Sequence, residues 1–182
     1  MEDLLINEDE VRAALIYDLV DRLGDTGKTQ IQKLLYFLQE HYGLPLSCAF
    51  YIHQYGPFAD EIETTISNLK FMQYLSVEPD PQGYGFHLRS DSPPEKAWSE
   101  IIQSAEHKIE DVVANLGRRD ARELELLATI HYAFRSTQAS QDELVSLVKS
   151  LKPKFTEQYI TLKCEEMLEI GLLPNQTSTL PA

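Results

Sequence analysis

Gly24-Asp25-Thr26-Gly27-Lys28-Thr29 ends in the Gly-Lys-Thr of a phosphate-binding loop. Such a loop needs another glycine five residues before that Gly, where this sequence has Arg22, and a buried strand leading into it. The stretch follows a helical pattern instead, so an interhelical turn is expected. His53 and Tyr55 stand before Gly56-Pro57 and suggest the rim of an acid–base site near neutral pH. No local spacing sets a nucleophile or carboxylate against them, and His53 is read as a packing or hydrogen-bonding residue. The histidines at 41, 53, 87, 107 and 131 never take a metal-ligand spacing such as His-x-x-x-His. Cys48 and Cys164 have no Cys-x-x-Cys partner and fit a reducing compartment, Cys164 as a core residue. The sequence therefore assigns no catalytic residue, no metal and no cofactor, and the chain is read as no enzyme.

Charge narrows the choice further. The 182 residues carry 29 acidic against 16 basic side chains, a formal charge of −13. Such a field repels the phosphate backbone that supplies most non-specific nucleic-acid affinity. The apolar fraction of 43% supports a folded core. Met1-Glu2-Asp3-Leu4-Leu5 has neither the basic region nor the apolar run of a signal peptide. No stretch approaches the ~20 apolar residues that span a bilayer. A cytoplasmic chain that does not enter the membrane is expected.

The elements that must position any site follow from periodicity and caps. Asn7 caps a helix from Glu8 to about Leu23, with Glu10 completing a capping box and Val11, Ala14, Leu15 and Leu19 facing inward. Lys28 to Tyr42 is a central helix, its arc of Ile31, Leu34, Leu35 and Leu38 widened by Tyr36 and Phe37. A strand over Ala49 to His53 leads to the turn Gln54-Tyr55-Gly56-Pro57. Asp60 and Glu63 cap a helix carrying Ile62, Ile66, Leu69 and Met72. Tyr74 to Glu78 and Tyr84 to Leu88 alternate as a hairpin closed by Pro79-Asp80-Pro81-Gln82-Gly83.

Ser92-Pro93-Pro94-Glu95 begins a long helix lined by Trp98, Ile101, Ile102, Ala105, Ile109, Val112 and Leu116. Asp120–Glu123 and Ser140–Glu143 cap two more, and Phe155-Thr156 opens the last. His131 falls on an apolar face and is read as a satisfied buried histidine. The fold class is mainly α (α+β): a winged-helix-like core with a small β-hairpin and a helical C-terminal extension. Residues 1–90 form the core with its docking helix, 91–173 a four-helix part packed on it, and 174–182 a loose tail.

Ile31-Gln32-Lys33-Leu34-Leu35-Tyr36-Phe37-Leu38, taken with Tyr55-Gly56-Pro57-Phe58, resembles the Panacea and YwgA-like proteins. The hairpin residues Gly83-Tyr84 continue the likeness, and Leu124 to Leu172, with Leu151-Lys152-Pro153 inside it, looks more like the YwgA-like branch. The resemblance implies antitoxin or adaptor behaviour and no catalytic residue. The expected function is a non-enzymatic interaction or regulatory protein whose partner is a toxin, a protease adaptor target or a regulator. Its apolar contacts would be Tyr51, Tyr55, Phe58 and Tyr84. Polar and basic contacts would come from His53, Lys70, Arg89, Lys149, Lys152 and Lys154. The alternative is a winged-helix DNA-binding regulator, a homodimer adding two weak surfaces, which the charge disfavours.

Overall fold

Ile31 to Leu38 are eight consecutive buried residues on one helix, so this segment is covered on every side. In a computed structural model, which describes residues 7–80, 83, 85–92 and 96–174, that helix is α2, Lys28–Glu40. It packs against α1 (Glu8–Leu23), α4 (Lys96–Leu116) and α5 (Ala121–Thr137), the axis of one continuous apolar core. Gly43, at φ +70°, lets the chain turn out of α2.

Two small antiparallel sheets flank the helices. In one, β1 (Thr26–Gly27) and β4 (Leu75–Pro79) pair on either side of β5 (Phe86–Ser90), with Val77 opposite Leu88. In the other, β2 (Tyr51–His53) pairs with β3 (Gly56–Phe58). The second sheet corrects the sequence reading, which ended the strand at His53 and took Gly56-Pro57 as turn. The turn is Gln54-Tyr55, and Pro57 sits in a strand opposite Ile52, as its missing N–H allows at a sheet edge.

Local caps explain most helix starts. Asn7 accepts the Asp9 N–H, Asp120 that of Glu123, and Thr156 that of Tyr159, while Ser140 and Glu143 complete a capping box. Helix α2 starts after Gly27 with no side-chain cap, and helix α3 (Asp60–Phe71) departs from the pattern too. Its N-cap is Ala59, and Asp60 does not cap it. Instead Gln32, buried on α2, accepts the Ala59 N–H at 3.1 Å and donates to the Ala59 carbonyl at 3.0 Å. Met72, expected on the buried stripe, is half exposed beyond the end of α3. Helices α6 (Gln141–Leu151) and α7 (Glu157–Glu169) pack on each other and on α5.

The mainly α, α+β class holds, with seven helices and two small sheets among the described residues. Among those residues no helix is long and apolar enough to cross a membrane. The Ser92-to-Glu95 cap, the hairpin turn at Pro81-Gln82 and the tail from Asn175 fall wholly or partly outside the described residues.

Candidate functional site

Three lysines and one glutamate meet beneath the Gln54-Tyr55 turn. Lys33 arrives from α2, Glu125 from α5, and Lys152 and Lys154 from the segment joining α6 to α7. Lys33, Lys152 and Glu125 are almost wholly buried. The Lys33 ammonium donates to the Pro57 carbonyl at 2.6 Å, and Lys152 donates to that of Gln54 at 2.5 Å. Lys154 donates to Glu125 Oε2 at 2.7 Å. Lys152 Nζ stands 2.9 Å from Glu125 Oε1, but out of line for a hydrogen bond, and that oxygen is buried without a donor.

This cluster carries one negative charge against three positive ones. Burial pulls Lys33 down to about 8, helped by the like charge of Lys152 and opposed by Glu125. Gly56 closes the cluster from above. At φ +86° it suits glycine, and a Cβ there would lie 3.1 Å from the Glu125 carbonyl and 3.1 Å from Thr129 Oγ1. The lysine-leucine-aromatic helix and the Tyr-Gly-Pro turn therefore belong to one piece of packing.

The expected surface residues fare unevenly. Tyr51 and Tyr55 are exposed and Phe58 is half-buried; the rings of Tyr51, His53 and Phe58 contact one another, centroids 5.4–6.4 Å apart. Tyr84 lies outside the described residues. Lys70 is exposed on α3, whereas Arg89 is paired with Asp25 at 3.1 Å. The basic run does not form the patch expected. Lys149, half-buried, turns back to the carbonyls of Pro153 and Phe155, Lys152 is buried, and Lys154 has 45% of its side chain exposed. Lys149 answers backbone carbonyls of the α6–α7 turn, and Lys152 those of the β2–β3 turn.

His131 is buried as expected, with Nδ1 2.8 Å from the Tyr36 hydroxyl. Burial, with His41 and Arg135 nearby, drops its pKa to about 3, so it is a neutral core group. Burial holds the Cys48 and Cys164 thiols up, at about 12 and about 11, so neither is a ready thiolate. The Gly-Lys-Thr lysine, Lys28, is committed to Glu63 at 2.8 Å and lies over the Phe86 ring. The residue that the sequence reading missed is Glu125. Its signal is a lone carboxylate inside the apolar run Leu124-Glu125-Leu126-Leu127.

Two clefts open on the surface of the described residues. One of about 530 Å³ lies between α1 and α3 and is lined by Asp9, Glu10, Asp60 and Glu61. The other, about 440 Å³, lies at the starts of α5 and α7, where Asp120, Arg122, Glu123, Lys154, Phe155 and Tyr159 meet. Among the described residues no group of three His, Cys, Asp or Glu side chains is placed to hold a metal ion.

No family model matches the chain. It is 30% identical over 177 residues to the DNA ADP-ribosyl glycohydrolase of Thermus aquaticus. The match takes in 89% of this chain and 47% of that protein, so the chain spans about half the length of the curated relative. This finding corrects the functional expectation. A relative that shares nearly the whole chain is a hydrolase, which overturns the non-enzymatic interaction protein, the antitoxin-like or adaptor role and the reading of no enzyme; the winged-helix DNA-binding regulator falls with them. The absence of a local catalytic spacing was taken as absence of an enzymatic role. That step fails where the groups of a site come from distant parts of a longer protein. The match does not bear on the Panacea and YwgA-like resemblance.

Proposed function

We propose that this chain works in the removal of ADP-ribose from DNA, as the counterpart of the portion of a DNA ADP-ribosyl glycohydrolase that it spans. The observation that carries the reading is the 30% identity over 177 residues to the enzyme of that name.

Cleaving a glycosidic bond calls for a carboxylate or an oriented water with access to the anomeric carbon. The most deeply buried carboxylate, Glu125, has two lysines at its oxygens and the Gly56 turn over it, so it cannot reach a substrate. Its place is that of a structural counter-ion. The carboxylates open to a ligand are those of the α1–α3 cleft, Asp9, Glu10, Asp60 and Glu61, and those of the cleft at the starts of α5 and α7, Asp120 and Glu123.

The test is release of ADP-ribose from an ADP-ribosylated oligonucleotide. It compares the chain alone, the non-matching portion of the Thermus aquaticus protein alone, and the two together. Faster release by the pair than by the non-matching portion is expected. Equal rates, with no retention of the modified oligonucleotide by this chain, would overturn the proposal.

A further inference from the structure

The cleft at the starts of α5 and α7 is lined by two cations, Arg122 and Lys154, and two carboxylates, Asp120 and Glu123. Arg122 makes no ion pair with the described residues; its guanidinium lies 5.2 Å from the centre of the Phe155 ring. Lys154 lies 5.2 Å from the same centre and 5.9 Å from that of Tyr55. In a chain with 29 acids to 16 bases, two cations gathered on one ring is the opposite of what average composition supplies.

Of the two carboxylates on the cleft wall, Glu123 is held by cations and Asp120, among the described residues, by a backbone N–H alone. Asp120 accepts the Glu123 N–H at 2.7 Å, and Glu123 is held by Arg119 at 2.7 Å and by Lys163. Lys154 shares Glu125 with Lys152, and Lys33 lies behind them, so its own charge is only partly balanced. The cleft also receives two helix starts. Asp120 and Thr156 each satisfy one N–H, leaving other first-turn N–H groups of α5 and α7 without intrahelical acceptors. At about 440 Å³ it falls within the roughly 300–1,000 Å³ range of small-ligand sites. The acidic cleft between α1 and α3 is larger but would repel an anion.

We propose that this cleft binds a phosphate group, with Arg122 and Lys154 as its charged donors. The inference rests on the reading above and deepens it, since both the pyrophosphate of ADP-ribose and the backbone of DNA carry that chemistry. The two sources are separated by probe.

The experiment is an amide NMR titration of the full chain with inorganic pyrophosphate, with ADP-ribose and with a short unmodified single-stranded oligonucleotide. Saturable shifts at residues 120–123 and 154–159 are expected. Arg122→Ala should weaken binding roughly tenfold, the fold-change of one charge-assisted hydrogen bond. Lys154→Gln should also weaken it, and Lys70→Ala, on exposed α3, should leave it unchanged. Binding of ADP-ribose but not of the oligonucleotide assigns the cleft to the pyrophosphate, and the reverse assigns it to the strand backbone. No saturable shift with any probe, or affinity unaltered by Arg122→Ala in a variant that melts like the parent, overturns the proposal. The outcome is separable from the function proposed above. Phosphate binding without any effect of the chain on ADP-ribose release would leave this site standing and remove that function.

Discussion

Lys33 donates from its buried ammonium to the carbonyl of Pro57 at 2.6 Å, joining the central helix to the second strand of the small hairpin. The bond fixes the hairpin over Glu125 and holds a charged group where water cannot reach it. Lys152 repeats the device from the other side at Gln54. Two lysines thus hold one turn by its carbonyls, and a single glutamate offsets their charge.

Removing that glutamate should be costly. Glu125→Gln leaves Lys33 and Lys152 buried with no counter-charge, and breaking a buried pair in this way costs about 3–5 kcal/mol. Urea unfolding should show a midpoint shifted far down with an unchanged slope. A midpoint like that of the parent would show the cluster to be hydrated and open.

Gly56→Ala tests the closure from above. The positive φ and the 3.1 Å approaches to Glu125 and Thr129 both oppose a side chain there, and together should cost roughly 1–3 kcal/mol. Gly83→Ala is the comparison, since its φ of +81° is similar but nothing lies within 4 Å of an added Cβ. Thermal unfolding of the two variants separates crowding from backbone strain, and Gly56→Ala should fall further.

Lys33 makes stability depend on pH in an unusual direction. Its folded pKa of about 8 lies below the ordinary 10.5, so between these values the unfolded chain binds more protons. Its contribution to stability therefore rises from about pH 8 to about 10.5. The thiols of Cys48 and Cys164 oppose it, since both are raised above 9.0 in the fold and lose stability as pH climbs through that region. The difference between the parent and Lys33→Met isolates the lysine. Relative to that variant, the parent should gain stability across this window, and a flat difference would contradict the depressed pKa.

His131 sets the acid side. Its pKa falls from 6.5 unfolded to about 3 in the fold, so its contribution is complete above pH 6.5 and is lost as pH falls toward 3. His131→Gln removes the titration while leaving an amide to meet the Tyr36 hydroxyl. The variant should be less stable near neutrality yet lose less stability than the parent on acidification from pH 6.5, measured by urea midpoints.

Sequence carried the helices further than the site. Caps such as Ser140–Glu143 and Asp120 are local, so their bonds could be read from spacing alone. The cap of α3 could not, because Gln32 supplies it from 27 residues away. Pro57 hid a strand, since proline argues against one except at an edge. Lys149 and Lys152 looked like a surface patch, and only tertiary packing turns them onto backbone carbonyls. The cluster at Glu125 stayed hidden for a related reason. The buried carboxylate lies in an ordinary apolar helix, and its three lysine neighbours come from two other parts of the chain. The resemblance, and not spacing, set Ile31 to Leu38 beside Tyr55-Gly56-Pro57, and in the structure Lys33 of the first bonds Pro57 of the second.

If the chain serves the removal of ADP-ribose from DNA, its presence must show in the rate of that reaction. The direct measurement is the rate of ADP-ribose release from an ADP-ribosylated oligonucleotide by the non-matching portion of the Thermus aquaticus enzyme, with and without this chain. The account predicts faster release when the chain is present, with the gain reduced by Arg122→Ala. Identical rates with and without the chain, and no retention of the modified oligonucleotide on it, would contradict the account.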